Sequence, residues 1–294
     1  MPTPAPEGRA AFAVSERGAL LRHAGGPIDL AALDTTGTPG FDGDKAAGER
    51  ALAELAEPLA DLQERLFAEG RSGGRRNVLL VLQGMDTSGK GGTLRSTVGL
   101  LDPQGVRITS FKAPTREELA HDFLWRITRA LPEVGMVGVF DRSHYEDVLI
   151  ARVRALAPPE EIERRYEAIN AWEAELAAEG TVIIKCFLHI SREEQKERLL
   201  ARLDDPTKHW KFNPGDIDER QLWPAYQEAY EIAIERTSTA VAPWHVVPAD
   251  RKWYRNLAIA TLLDDALRHL DPQWPAADFD VEEQRRRLTD EPSS

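Results

Sequence analysis

The sequence has few of the features that mark a secreted or membrane protein. Its 294 residues include a single cysteine, Cys186, so no internal disulfide can form and nothing indicates an oxidising compartment. No stretch approaches the roughly 18 consecutive apolar residues that a membrane helix requires. The N-terminus also lacks a basic start followed by an apolar run. We therefore expect a cytoplasmic protein that does not bind membranes.

Positive charge is scarce as well. The 37 Lys and Arg residues are outnumbered by 49 Asp and Glu residues, which gives a net charge of -12. Nucleic-acid-binding proteins usually carry a basic face that displaces counterions from phosphates, so this balance argues against a nucleic-acid partner. If the substrate is nevertheless a polyanion, the basic residues must be concentrated at one site.

The histidines do not form a metal-binding or catalytic pattern. His121, His144, His189 and His209 are scattered without the spacing of zinc ligands, and no Ser-His-Asp arrangement is legible. The chemistry must therefore be carried by other residues.

Apolar runs of strand length alternate with helical patterns along most of the chain. This alternation predicts an α/β fold with a mostly parallel sheet that is covered by helices on both faces. The predicted strands are 77–83, 106–111, 136–140, 181–190 and 244–247. The predicted helices are 44–67, 93–101, 115–130, 160–178, 191–203, 217–236 and 252–270. Thr115 with Glu118 and Ser191 with Glu194 match the capping-box pattern, which predicts the starts of two of these helices.

The two ends of the chain lack this alternation. Residues 1–43 are rich in Pro, Gly, Ala and Thr, so we expect an extended or partly ordered N-terminal arm. Residues 44–272 then form one domain, and residues 273–294 form a C-terminal tail. Within the domain, residues 204–216 contain two prolines and a glycine without any period, which predicts a loop.

A glycine-rich segment, GMDTSGKGG at residues 84–92, lies between the first predicted strand and a helix. We call it the glycine loop; it matches the GxxxxGK part of the P-loop pattern in the required setting. Glycines let successive N–H groups turn toward phosphate oxygens, and the lysine neutralises the transferring group. A glycine-rich turn with an incidental lysine is the alternative. The predicted phosphate-binding residues of this loop are Gly84, Thr87, Ser88, Gly89, Lys90, Gly91 and Gly92.

Two carboxylates are candidate metal ligands. Position 91 is glycine where a Ser or Thr hydroxyl would normally bind Mg²⁺, whereas Asp86 lies inside the loop. A carboxylate there would repel phosphates unless a divalent cation lay between them, so Asp86 predicts Mg²⁺, with Mn²⁺ as second candidate. Asp141 ends the third strand, where a second acidic ligand would share the metal, and Arg142 would face the phosphates. The alternatives are a solvated Asp86 and a helix-capping Asp141.

Four basic residues follow in and after the helix at 191–203. Arg198 and Arg202 are four apart on one helical face, which is typical of an anion site or of a solvated surface. Lys208 and Lys211 flank Trp210 in the loop at 204–216. We predict that this loop is a lid that closes over phosphates, with Trp210 either stacking on a base or anchoring the lid.

Four segments together, GMDTSGKGG, FKAPT, VFDRSHYEDVL and RLDDPTKHWKFNPGD, resemble the polyphosphate kinase 2 family over roughly residues 45–270. The resemblance implies a thymidylate-kinase-like P-loop kinase, a three-layer α/β/α sandwich with a lid, which uses Mg²⁺, polyphosphate and a nucleotide. The catalytic centre that it implies consists of Asp86, Lys90, Asp141 and Arg142. The further phosphate contacts that it implies are Lys112, Arg126, Arg198, Arg202, Lys208 and Lys211.

The acceptor stays open at this stage. Members with the SHYEDVL form often have Asn where this chain has Asp141, whereas other subclasses have Asp before a different continuation. AMP, ADP and their guanine equivalents are therefore all candidates, with ATP as product or reverse substrate. Apolar helix faces allow a homodimer or homotetramer.

The expected reaction is in-line phosphoryl transfer, in which the protein positions phosphates and neutralises their charge. An ATP-dependent kinase of a small metabolite would share the glycine loop, and a nucleotide-dependent regulatory or scaffolding module would share the acidic surface. The number of basic residues at the predicted site exceeds what one nucleoside triphosphate requires. This excess favours polyphosphate as substrate.

Overall fold

The protein is built around one parallel sheet. The structure, a computed structural model, describes residue 12 and residues 14–290. Five strands lie in the order β2-β3-β1-β4-β5, and every neighbouring pair is parallel. The strands are β1 (Asn77–Gln83), β2 (Val106–Ser110), β3 (Val137–Asp141), β4 (Thr181–His189) and β5 (Trp244–Pro248). The predicted parallel sheet and its five strands are confirmed.

Helices cover both faces of this sheet. In β4 the residues from Ile183 to His189 are all buried, although consecutive side chains point to opposite faces, so both faces must be covered. The predicted α/β/α arrangement is confirmed. In the described part of the chain the α-helices are α1 (Glu16–Leu21), α2 (Lys45–Glu54), α3 (Ala56–Arg71), α4 (Lys90–Ser96), α5 (Trp125–Thr128), α6 (Ile150–Val153), α7 (Pro159–Ala178), α8 (Arg192–Leu203), α9 (Gly215–Gln221), α10 (Trp223–Thr237), α11 (Lys252–Leu270) and α12 (Val281–Thr289).

Two helices that the sequence predicts as continuous are each divided in two. The prediction at 44–67 is wrong at Leu55, which separates α2 from α3, and the prediction at 217–236 is wrong at Leu222, which separates α9 from α10. Pro58 and Pro224 explain both breaks. A proline inside a helix has no N–H to donate and its ring clashes with the carbonyl four residues earlier, so each becomes part of a new first turn.

The helix predicted at 115–130 is also wrong. The capping box does form, because Thr115 N donates to Glu118 Oε2 at 2.6 Å and Glu118 N donates to Thr115 Oγ1 at 3.3 Å. The helix that follows is only one 3₁₀ turn, Glu118–Ala120. His121 is extended and the Asp122 carboxylate accepts from Leu124 N at 3.0 Å, so this local turn competes with the helix before α5 begins.

The described part of the N-terminal arm packs along the β5 edge of the sheet. It contains α1 and a 3₁₀ turn, Leu30–Ala32, and Arg22 forms an antiparallel bridge with His245 of β5. Within the C-terminal tail, α12 has no buried residue, and residues 291–294 lie outside the described residues. Among the described residues, no helix has both the length and the apolar character needed to cross a membrane.

Candidate active site

The glycine loop leaves β1 at the centre of the sheet and ends in α4. Gly84 has φ +152° and Gly89 has φ +108°, backbone conformations that L-residues rarely adopt. A Cβ added to Gly89 would lie 1.7 Å from Arg255 Nη1, whereas one added to Gly91 would meet nothing within 4 Å. Gly89 is therefore required for the shape of the loop, and Gly91 lies on its open side.

Lys90 folds back over the loop that precedes it. Its Nζ donates to Gly84 O at 2.8 Å and to Met85 O at 3.5 Å. Burial lowers the pKa of Lys90 and the neighbouring Arg142 lowers it further, while Asp86 and Asp141 act in the opposite direction. Burial and Arg142 thus disfavour the positive charge of Lys90. A phosphate group bound beside its ammonium group would stabilise that charge.

The turn after β3 brings a second cation to the same place. Asp141 is in register with Leu82 of β1, so the turn that follows Asp141 lies beside the start of the glycine loop. Arg142 has φ 65°, and its N–H donates to Leu82 O at 3.1 Å. Its guanidinium donates to Asp86 Oδ1 at 2.8 Å and to Glu146 Oε2 at 3.4 Å. Burial would lower the pKa of Arg142, but the carboxylates of Glu146 and Asp86 outweigh it and raise the pKa.

One cleft of about 570 Å³, the basic cleft, collects most of the predicted residues. Lys211 of the predicted lid and Arg202 of α8 line this cleft together with Lys90 of the glycine loop. Trp210 also lines it and is 80% exposed, with Lys211 Nζ 4.9 Å from its ring centroid. The predicted site residues that line the basic cleft are Asp86, Thr87, Ser88, Gly89, Lys90, Gly91, Gly92, Asp141, Arg142, Arg202 and Lys211.

A second groove of about 390 Å³, the side groove, adjoins the basic cleft. Lys208 and Lys211 of the lid line it together with Lys252 and Arg255 at the start of α11. Burial, together with the positive charge of the nearby Arg198, lowers the pKa of Arg255 to about 10. Sequence reasoning missed Lys252 and Arg255, because they lie some 160 residues after the glycine loop and only the fold brings them to it.

Arg198 is a buried side chain that donates hydrogen bonds to the backbone of the glycine loop. It is 9% exposed, and Nη1 donates to Thr87 O at 2.8 Å and to Ser88 O at 3.0 Å. Its Nε donates to Glu194 Oε1 at 2.6 Å, and Nη2 donates to the carbonyls of residues 249 and 250. Every nitrogen of this guanidinium is engaged by the protein itself, while its role as a phosphate contact stays a prediction.

Lys112 and Arg126 lie away from the basic cleft and the side groove. Arg126 Nη1 donates to Lys112 O at 2.8 Å, and its Nη2 lies 3.6 Å from Asp147 Oδ2. The Arg126 guanidinium also lies over the Phe111 ring, 5.6 Å from the centroid. The structure therefore does not bring these two residues together with Lys90, and their assignment as phosphate contacts remains a prediction.

A third pocket, of about 260 Å³, shares Asp86 and Arg142 with the basic cleft. We call it the tyrosine pocket, because Tyr226 and Tyr230 of α10 line it together with Glu146 and Gly84. Burial and nearby carboxylates raise the pKa of both phenols, so they stay neutral. Carboxylates outnumber cations in this pocket, where Arg142 is the basic lining residue, whereas cations outnumber the two carboxylates of the side groove, Glu194 and Glu197.

Comparison with known proteins decides the family. The family model described as "Polyphosphate kinase 2 (PPK2)" matches residues 42–275. The chain belongs to the polyphosphate kinase 2 family.

Individual relatives agree over nearly the whole length. The AMP/ADP-polyphosphate phosphotransferase of Meiothermus ruber is 48% identical over 250 residues, which cover 85% of this chain and 92% of that protein. The ADP-polyphosphate phosphotransferase of Rhodopseudomonas palustris is 41% identical over 263 residues, 85% of this chain and 89% of that one. The crystal structure of polyphosphate kinase 2 from Arthrobacter aurescens TC1 superposes with a TM-score of 0.91 at 53% identity, covering 96% of this chain and all of that chain.

This polyphosphate kinase 2 family member fixes the turn after β3 with a fully buried polar network that the sequence analysis missed. Lys185 Nζ donates to Glu173 Oε2 at 2.7 Å and to the Tyr145 hydroxyl at 2.8 Å. The Tyr145 hydroxyl donates to Glu173 Oε1 at 2.8 Å, and His144 Nε2 lies 3.3 Å from the same oxygen. The available signal was Lys185 itself, a charged residue in the middle of an apolar strand.

Two carboxylates at the basic cleft are the candidate metal ligands. Among the described residues, no group of three or more His, Cys, Asp or Glu side chains could hold a metal by itself. Asp86 and Asp141 line the basic cleft, and the Ser110 hydroxyl lies 3.5 Å from Asp141 Oδ2. Mg²⁺ is commonly bound by one or two carboxylates, waters and substrate phosphates, so this donor set fits an ion that arrives with a phosphorylated substrate.

Proposed function

We propose that the protein is a phosphotransferase that moves a phosphoryl group between inorganic polyphosphate and a nucleoside mono- or diphosphate of the AMP or ADP type. The observation that carries the proposal is the convergence of Lys90, Arg142, Arg202 and Lys211 on one cleft of a chain whose net charge is -12. Relatives named AMP/ADP-polyphosphate and ADP-polyphosphate phosphotransferases support it.

The residues that line the pockets favour separate binding sites for the two substrates. The side groove adds Lys208, Lys252 and Arg255 to the cations of the basic cleft, and these cations suit a chain that carries a negative charge on every phosphate. The tyrosine pocket shares Arg142 with the basic cleft, but its carboxylates outnumber this cation and would repel such a chain. We propose that polyphosphate occupies the side groove and that the nucleoside occupies the tyrosine pocket, with the two reacting phosphates meeting between Lys90 and Arg142.

The proposed reaction is an in-line displacement. An acceptor phosphate oxygen attacks the terminal phosphorus, and the bond from that phosphorus to its bridging oxygen breaks with the electron pair leaving on the shortened chain. The acceptor oxygen is already ionised near neutral pH, so no general base is required. Lys90 and Arg142 offset the charge that moves during transfer. We propose that Asp86 and Asp141 hold Mg²⁺ or Mn²⁺, which would neutralise phosphate oxygens when bound.

The number of cations at the site also argues against an ATP-dependent kinase of a small metabolite. An ATP-dependent kinase of a small metabolite needs to neutralise one triphosphate, yet the basic cleft and the side groove together present cations well beyond Lys90 and Arg142. The small-metabolite kinase is therefore not the function that we propose.

The test is to incubate the protein with Mg²⁺, long-chain polyphosphate and AMP, ADP, GMP or GDP separately, without ATP, and to resolve the products by chromatography. We expect nucleotides with one or more added phosphates, at a rate that Lys90→Ala greatly reduces. Failure to phosphorylate any of the four acceptors, in a folded protein, would overturn the proposal. The set of acceptors used also separates the AMP and ADP subclasses.

Location and assembly are further proposals. We propose a cytoplasmic homodimer or homotetramer that acts without nucleic acid or a membrane, in keeping with the acidic net charge. Light scattering of the purified protein tests the assembly, and a monomer at micromolar concentration would contradict it.

A further inference from the structure

Residues 34–41 of the N-terminal arm contact the segment that follows β5. Thr35 makes two hydrogen bonds there, because its Oγ1 donates to Asp250 Oδ2 at 2.7 Å and its carbonyl accepts from Asp250 N at 3.2 Å. Further along, the Tyr254 hydroxyl donates to Pro39 O at 2.6 Å, and the Phe41 and Trp253 rings meet edge to face at 5.7 Å. The arm thus holds residues 250–254 at several points.

Asp250 joins the arm to helix α8. Its Oδ1 accepts from the backbone N–H of Ser191, the N-cap residue of α8, at 2.9 Å. Its backbone carbonyl accepts from Arg198 Nη2 at 3.1 Å, and the same nitrogen donates to Ala249 O at 2.6 Å. The carboxylate of Asp250 therefore connects the arm to the start of α8, and its backbone carbonyl connects both to the buried Arg198.

Arg198 carries the connection to the glycine loop. It donates to Thr87 O and Ser88 O, and Thr87 has φ 65°, a left-handed conformation that costs a β-branched residue free energy and persists only where its surroundings enforce it. The path from Thr35 to Thr87 thus consists of Asp250 and Arg198, with a hydrogen bond at each step.

We propose that Thr35 is a positioning residue, by which the N-terminal arm holds Asp250 and Arg198 and so fixes the conformation of the glycine loop. The family match begins at residue 42, so this support lies outside the segment that the family pattern covers. The consequence for turnover rests on the proposed function, but the ordering of the loop does not.

The test compares two neighbouring threonines in the full-length protein. Thr35→Val removes the hydroxyl that donates a hydrogen bond to Asp250. Thr36→Val removes a hydroxyl that donates only within the arm, to Asp34 Oδ1 at 2.7 Å. We expect amide hydrogen exchange in peptides that cover residues 84–92 to be about two- to tenfold faster in Thr35→Val, as loss of one hydrogen bond allows. Exchange in Thr36→Val should match the wild type, and Thr35→Ser should restore it.

Three outcomes would overturn the proposal. They are unchanged exchange of residues 84–92 in Thr35→Val, equal acceleration in Thr36→Val, and equal acceleration in the buried strands β1 and β4, which would indicate global destabilisation. If loop exchange rises and no phosphoryl transfer is found in any variant, the proposed function fails and the positioning role stands. In an active enzyme we also expect the KM for polyphosphate to rise in Thr35→Val while the melting temperature falls no more than in Thr36→Val.

Discussion

At the scale of single residues, we expect phosphate binding to depend most on Lys90. The glycine loop holds its ammonium group over the Gly84 and Met85 carbonyls in the basic cleft. We expect Lys90→Ala to lower turnover by about two to four orders of magnitude, because one positioned charge is lost from the transition state. Steady-state kinetics with polyphosphate and ADP measures this. A near wild-type rate in a folded variant would refute the assignment.

The two glycines that flank Lys90 form a matched pair for testing the shape of the loop. An added methyl group at Gly89 meets Arg255 and adopts a strained backbone, whereas the same group at Gly91 enters open space. We therefore expect Gly89→Ala to lower activity at least about tenfold, or to destabilise the fold by about 1–3 kcal/mol, with Gly91→Ala close to wild type in both. Activity assays and thermal melts of the two variants provide the measurement, and equal effects would contradict this geometry.

The buried Lys185–Glu173 pair predicts a stability effect of a different kind. Both side chains are fully buried, so Lys185→Met leaves the Glu173 carboxylate without its cation. Removal of one partner from a buried pair costs about 3–5 kcal/mol. Urea unfolding measures the loss, and the double variant Lys185→Met/Glu173→Leu should recover part of it. A single-variant loss below about 1 kcal/mol would show that the pair is not needed.

At the scale of structural elements, basic residues of α8 and of the predicted lid line the same two pockets, the basic cleft and the side groove. Lys211 lines both the basic cleft and the side groove, while Lys196 of α8 is exposed and lines neither. We expect Lys211→Ala to raise the KM for polyphosphate, with a difference from wild type that shrinks as salt increases, because salt screens charges. Lys196→Ala removes the same charge and should leave KM unchanged. A salt-independent effect of Lys211→Ala would argue against a charge contact.

The sequence predicts elements well where local chemistry agrees with tertiary packing. β1 and β4 are continuous apolar runs because both of their faces are buried, and the Ser191 cap of α8 forms as predicted, with Glu194 N donating to Ser191 Oγ at 3.0 Å. The predictions fail where periodicity continues across a backbone obstacle. Pro58 and Pro224 do not disturb the apolar pattern, yet each breaks the hydrogen-bond ladder.

The site residues divide along the same line. The sequence predicts some site residues because a strand end, a glycine loop and charged side chains are neighbours in the chain. These are residues 84–92, Asp141 and Arg142. The sequence does not predict Arg255 and Glu146 as site residues, because their positions depend on how α11 and the turn after β3 pack on the sheet. Arg198 was predicted from its spacing to Arg202, but spacing could not reveal that its donors are engaged by backbone carbonyls.

At the scale of the whole molecule, the sheet topology explains how an acidic protein can bind a polyanion. β1 lies between β3 and β4, so the glycine loop and the turn after β3 leave neighbouring strand ends, and α8 with the lid follows β4 on the other side. Parallel strands place these carboxyl ends at one edge, where ligands bind in open α/β sheets. Cations from distant parts of the sequence therefore meet in one cleft, although the net charge of the chain is -12.

The central claim is direct transfer of phosphate from polyphosphate to a nucleotide at this cleft. The most direct measurement incubates the wild-type protein with radiolabelled polyphosphate, unlabelled ADP and Mg²⁺, without ATP, and locates the label in the nucleotide product. We predict label in the γ-phosphate of ATP alone, and almost none with Lys90→Ala. Label that appears only in inorganic phosphate, or no labelled nucleotide from any acceptor, would contradict the claim.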